Sequence, residues 1–269
     1  MTASTSSADS RRGCRGFSLI ELAVVIFIVA LLLGSIMVPL KTQVESRNYD
    51  QTQRILDQAR EALIGFAAAN GRFPCPASLT SNGAEDGNAG TGACALSTIG
   101  PAVYAGFLPA VTLGFTPIDD GGYAVDAWKL AQNRIRYAVA RVTLPAGNSN
   151  AFTKPGGMRT ATMKGISDAA LLYVCRSGTG VNAGTDCGSA ANTLTSNAPV
   201  VIWSVGPNAA TGGTSVDEAQ NPNPSGGSLD RLFVSRTKSE GASGEFDDIV
   251  TWISTSALFS RLIAAGQLP

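Results

Sequence analysis

The segment from Phe17 to Leu40 constrains this chain more than any other. It is almost wholly apolar, and as a helix rising ~1.5 Å per residue it spans a hydrocarbon core of about 30 Å. Arg11, Arg12 and Arg15 precede it, while the far flank carries only Lys41 before acidic and neutral residues begin. The positive-inside bias therefore keeps the N-terminus cytoplasmic and leaves the bulk of the chain exported. An ordinary secretory signal would put a small-residue cleavage site after the apolar run, and Met37-Val38-Pro39-Leu40-Lys41 is a poor one.

Within this run stands one acid, Glu21. A carboxylate at the centre of a membrane helix costs roughly 2.5 to 3.5 kcal/mol and less near the interface, so a plain anchor gains nothing from it. One account is a shallow acid reaching headgroup water. The other is a cut before Phe17, whose new α-amino group pairs with Glu21 of a neighbouring copy, so that a buried charge selects axial register between packed helices.

Gly16, Phe17, Ser18, Leu19, Ile20, Glu21 and Leu22 resemble the processing site of type IV prepilins and type II secretion pseudopilins. That site has a short basic leader ending in Gly, cleavage before Phe, a glutamate four residues on, and an apolar helix. The resemblance covers Arg11 to about Leu40. It implies that a prepilin peptidase cuts between Gly16 and Phe17 and methylates Phe17, and that Glu21 serves assembly with other pilin or pseudopilin subunits. It also places a helix bend near Gly34, Ser35 and Pro39.

Removing the leader and apolar run leaves about 229 residues, enough for a sizeable core. Formal charge is zero over the whole chain, and loss of the leader leaves 17 basic against 19 acidic residues. No basic stripe with interleaved aromatics suggests a nucleic-acid surface. The chain holds no histidine, which removes Ser-His-Asp and Cys-His catalysis, imidazole acid-base work and histidine-ligated zinc. Of five cysteines, Cys14 stays with the leader. Cys75, Cys94, Cys175 and Cys187 allow three pairings in an oxidising compartment. Local order favours Cys75 with Cys94 and Cys175 with Cys187, each closure contributing on the order of 3 kcal/mol in the chain-entropy model; four-cysteine metal binding is the rival, but no C-x-x-C pair exists.

The pattern predicts a leader over 1–16, a membrane and assembly helix over 17–40 and an amphipathic continuation over 41–70. An irregular connection follows over 71–122, then a sheet-rich part over 123–269. In the continuation, Ile55, Ala59, Ala62 and Phe66, with Leu56 and Leu63, recur at helical spacing. Asn70-Gly71 and then Pro74 and Pro76 end the helix. Strands are expected over 135–141, 170–175, 200–205, 232–234 and 249–253, with no long helices between them, so the fold class is α+β with a long N-terminal helix on a mainly antiparallel sheet, pilin-like. Thr255 to Ala265 reads as a closing amphipathic helix through Leu258, Phe259, Leu262 and Ile263.

Three softer likenesses to pilin and pseudopilin globular domains occur in the expected order. These are Asp126-Ala127-Trp128 before Arg136-Tyr137, then Val201 to Asn208, and finally Phe246 to Trp252; Lys129-Leu130-Ala131 stands where a Gly-Asn-Pro turn is usual. Some secretion pseudopilins hold calcium before the last strands, and by that resemblance Asp217, Glu218, Asp230, Asp247 and Asp248 are the candidates. Their spacing repeats no EF-hand, and solvated acids or strand caps are the competing account. No other cofactor is expected. Gly178-Thr179-Gly180 and Gly212-Gly213 lack phosphate-loop spacing, and Ser189 and Ser243 have no activating base. The chain is thus expected to be a structural, non-enzymatic subunit, a minor one by the size of its exported part. The alternative is a membrane-anchored extracytoplasmic binding protein or enzyme that uses the apolar run only as a tether.

Overall fold

The computed structural model describes residues 18–95, 103–142, 150–167, 169, 171–182, 184–209, 213, 215–221, 230–239, 241 and 244–268, with backbone alone for 33–41 and 131. Two compact units divide the chain, residues 1–46 and 47–269. Helix α1 covers Leu19–Asn70. It stops where the sequence says it must: Gly71, at φ 64°, donates its N–H to Ala67 O, and the Asn70 amide donates back to Phe66 O.

In the second unit, α1 buries Leu56, Ala59, Leu63 and Ala67 completely and Ile55 and Ile64 nearly so. The expected stripe is therefore rotated. Ala62 and Phe66 lie at its margin, only partly buried, and the Arg72 guanidinium covers the Phe66 ring at 5.2 Å. Polar ties add to the apolar packing, since Thr52, buried on α1, accepts the Ala127 N–H at 3.1 Å.

The expected irregular connection over 71–122 is instead partly regular. It carries a two-stranded hairpin, β1 (Gly87–Asn88) and β2 (Ala93–Cys94), then β3 (Val103–Phe107) and a single helical turn, α2 (Ala110–Leu113). Strand β3 pairs antiparallel with β4 (Arg136–Ala140). It escapes sequence reading because Val-Tyr-Ala-Gly-Phe is buried at every position and so shows no alternation.

The main sheet runs in the order β3-β4-β7-β9, antiparallel throughout, with β7 at Val200–Ser204 and β9 at Ile249–Ile253. A second sheet has the order β6-β5-β8, where β5 is Leu172–Cys175, β6 Thr193–Ala198 and β8 Leu232–Val234. Its β5–β8 pair is parallel. Only Pro199 separates β6 from β7, so the chain passes directly from one sheet to the other, and Trp203 of β7 meets Phe233 of β8 at 5.1 Å in a shared core. Helix α3 (Gly157–Ser167), broken at Thr162, was not expected; α4 (Thr255–Ala264) was. The Ser254 hydroxyl caps α4 by accepting the Ala257 N–H, and Leu258 and Leu262 face the core while Ile263 stays exposed.

Both locally favoured disulfides are present, Cys75–Cys94 and Cys175–Cys187. The first fastens the end of the helix-exit segment to the β1–β2 hairpin. Beside it the Arg72 fork grips both Glu85 oxygens at 2.8 Å, and Glu85 also accepts the Cys75 N–H.

Candidate functional site

Two groups of residues carry the functional expectations, one at the start of α1 and one in front of β9. Gly16 and Phe17 lie outside the described residues. Ser18 and Glu21 do not: Ser18 is the N-cap of α1, its hydroxyl accepting the Glu21 N–H at 3.2 Å while its carbonyl accepts from Leu22. Ser18-x-x-Glu21 thus has the sequence and half the bonds of a capping box, which places Glu21 in the first helical turn where the helix dipole favours an anion. Sequence reasoning gave Glu21 an assembly role, as an acid in an apolar run, and did not read it as part of a helix cap. Spacing alone held this second role.

From Ser18 to Leu32 every side chain is exposed, with Leu19 at 87% and Phe27 at 67%. A contiguous apolar surface of this extent is unusual on a face left to water. Among the described residues no helix is long and apolar enough to cross a membrane. The crossing expected over 17–40 includes Phe17 and side chains 33–40, which lie outside them.

The second group gathers Glu218, Asp247 and Asp248, each offering a carboxylate oxygen within 4.8 Å of the others. Glu218 opens a short 3-10 turn over Glu218–Gln220, and the two aspartates lead directly into β9. All three residues are at most 5% exposed. Glu218 Oε1 accepts the Asp247 N–H and the Asn208 amide, and Asp248 Oδ2 accepts the Asn221 amide at 2.9 Å. Glu218 Oε2 and Asp247 Oδ1 have no partner. Burial, then the nearby Glu218 and Glu245 charges, push Asp247 up to about 7; burial foremost drives Asp248 well above the carboxylate range. Like charges desolvated together resist ionisation unless a cation joins them.

Glycines let the backbone close over these acids. Gly206 and Gly213 both sit at positive φ, and a β-carbon on Gly206 would come 2.5 Å from Asp247 Oδ1, while one on Gly213 would collide with Glu218 Oε2. The donor set of hard carboxylate oxygens fits calcium or a similar hard divalent ion better than any soft metal.

Two candidates fall outside this cluster. Asp217 is committed elsewhere: it ion-pairs with Arg236 at 2.9 Å and accepts from Ser177 Oγ and the Gly178 N–H. Asp230 caps β8 by accepting the Leu232 N–H, and also accepts from Gly184 N. Separation along the chain could not rank them, because the site depends on how the 215–221 turn folds against the start of β9.

Behind the cluster lies a network the sequence pointed to only as a likeness. Asp126, wholly buried, accepts from the Trp128 N–H, Asn133 Nδ2 and Ser204 Oγ, so the Asp-Ala-Trp segment is stapled to β7. The Lys129 N–H closes back on Asp126 O at 3.2 Å, and Lys129 takes φ 57°, a conformation that glycine adopts more easily. Arg136, 1% exposed, lies between acids: burial pulls its guanidinium down to about 10, opposed by the charges of Asp248 and Asp126. Its Nη atoms donate to Arg134 O and Gln132 O.

Compared with known families, residues 11–37 match the prokaryotic N-terminal methylation motif, the signal motif of type IV pilins and pseudopilins. No curated protein and no solved structure matches the chain.

Proposed function

We propose that this chain is a pilin-like structural subunit, cut between Gly16 and Phe17 by a prepilin peptidase, methylated on Phe17, held in the inner membrane by its apolar helix, and then assembled with other such subunits through that helix. The observation that carries this is the methylation motif at residues 11–37, in whose described part the apolar side chains of α1 from Leu19 to Leu32 are all exposed. Glu21 provides the charge that a neighbour's Phe17 amine meets, and its place in the first turn of α1 keeps it at the helix entrance. A structural rather than enzymatic role is in keeping with a chain that has no histidine.

Cation binding belongs to the same reading. Glu218, Asp247 and Asp248 would hold a hard divalent ion, calcium by preference, and the ion would cancel their mutual repulsion and fix the 215–221 turn to β9. Intact mass and N-terminal sequencing of the chain from its own cells test the main proposal: residues 1–16 absent and one methyl group on Phe17 are expected. A mature protein beginning at Met1 would refute it and leave the apolar run as a tether. Glu21→Ala is expected to preserve membrane insertion and abolish assembly.

A further inference from the structure

The main sheet ends in two unlike edges, β3 on one side and β9 on the other, about 14 Å apart at ordinary strand spacing. Outside β3, Ala77 bridges to Phe107, and the Tyr123 ring stands edge-on to Phe107 at 5.4 Å. Tyr123 belongs to a hairpin in which Ile118 bridges to Ala124. Its tip is rigid: Asp119 accepts the Gly121 and Tyr123 N–H groups and ion-pairs with Arg134 at 2.7 Å, and Arg134 stacks 4.0 Å over Tyr123. With Asp119 and Arg134 neutralising each other, the tip leaves Ile118, 45% exposed, beside the exposed Asp120 carboxylate.

The β9 edge is the complement. There Arg60, Glu61 and Ile64 of α1, Trp252 of β9 and Ala257 and Arg261 of α4 line a groove of about 230 Å³. Glu61 is shared by two guanidinium groups, Arg60 at 3.6 Å and Arg261 at 3.4 Å. One positive charge is therefore in surplus, and the buried Arg60 Nε has no partner. The groove offers an indole and an isoleucine to an apolar side chain and a guanidinium to an acid.

We propose that the Ile118–Ala124 hairpin of one copy seats in the Arg60–Trp252–Arg261 groove of the next, Ile118 against Trp252 and Asp120 against the arginines. Knob and groove lie towards opposite edges of one sheet, so the contact is heterologous, the class of contact that builds an open fibre when its rotation does not close. The contact rests on the fibre reading and gives the exported parts a packing direction of their own.

The test uses the full chain in its own cells. Asp120→Cys combined with Arg261→Cys is expected to yield a ladder of covalent multimers in assembled material under non-reducing conditions, whereas each single cysteine yields no ladder. Asp120→Arg and Arg261→Asp should each lower the assembled fraction about tenfold, and the two together should restore it to within about twofold. Mass mapping of Cys75–Cys94 and Cys175–Cys187 checks that each variant is folded. Normal assembly by both charge variants with no ladder overturns the proposal, as does a groove cysteine that cross-links only to a different protein. Failure of the fibre reading is seen separately, as an unmethylated Phe17 and a wild-type chain found in no assembly, and it overturns the contact as well.

Discussion

Replacing Glu218 with glutamine separates a cation site from a merely structural acid, because the sign of the effect depends on calcium. In the cation-free protein, Glu218 stands within 4.8 Å of two other buried carboxylates. A fully ionised pair at that distance in an effective dielectric of about 20 repels by about 3.5 kcal/mol. Asp247, raised to about 7, is about half protonated at neutral pH, and burial drives Asp248 well above the carboxylate range, so the relief on removing the Glu218 charge is nearer ~1 kcal/mol. Glutamine keeps Oε1 for the Asp247 N–H and Asn208 and turns an amide donor toward the aspartates. In chelator, then, Glu218→Gln should be about 1 kcal/mol more stable than the parent. With calcium at a hundred times its Kd, the parent gains about 2.7 kcal/mol by linkage, most of which the variant forfeits, so the order should reverse. Urea unfolding of the detergent-solubilised chain, followed by the fluorescence of buried Trp203, reads both arms. An equal loss of stability in chelator and in calcium would refute the site, because Glu218 would then act only as an acceptor for Asp247 and Asn208.

Replacing Cys75 and Cys94 together with serine opens a loop of 19 residues' separation and should cost about 3 kcal/mol, read as a lower denaturant midpoint than that of the parent. Leu63→Ala, at a fully buried position on α1, should cost about 2 to 5 kcal/mol in the same assay. Glu85 supplies a pH test: burial opposes its ionisation, but the Arg72 fork and the Cys75 N–H outweigh that and hold it below its ordinary 4.5. Since the folded carboxyl binds its proton less readily than the unfolded one, its contribution is complete above about pH 4.5 and is lost as pH falls through the lower folded value. Glu85→Gln should flatten stability against pH in that acid window, and an unchanged slope would contradict the pairing.

Legibility differed from element to element for physical reasons. The end of α1 could be read because Asn70-Gly71 and the prolines after it act locally. Both disulfides follow from short closures between neighbours in sequence. Strand β3 was hidden because burial on every side erases alternation, and the parallel β5–β8 pair joins segments with no local cue to their register. The acids were visible as residue types, but Asp217 and Glu218 are adjacent in sequence and have unlike fates, one bound to Arg236 and the other turned into the cluster.

What the amino-acid sequence determined by itself is the processing motif, the apolar run behind it, the helix that follows, the short-range pairings and the chemistry that a chain without histidine forgoes. These depend on neighbours within a few residues, or on the absence of a residue altogether. Tertiary structure decided which acids meet, which face of α1 is covered, and that a knob and a groove occupy opposite edges of one sheet. Those outcomes depend on long-range strand pairing and desolvation, where the energy of a side chain is set by partners far from it along the chain.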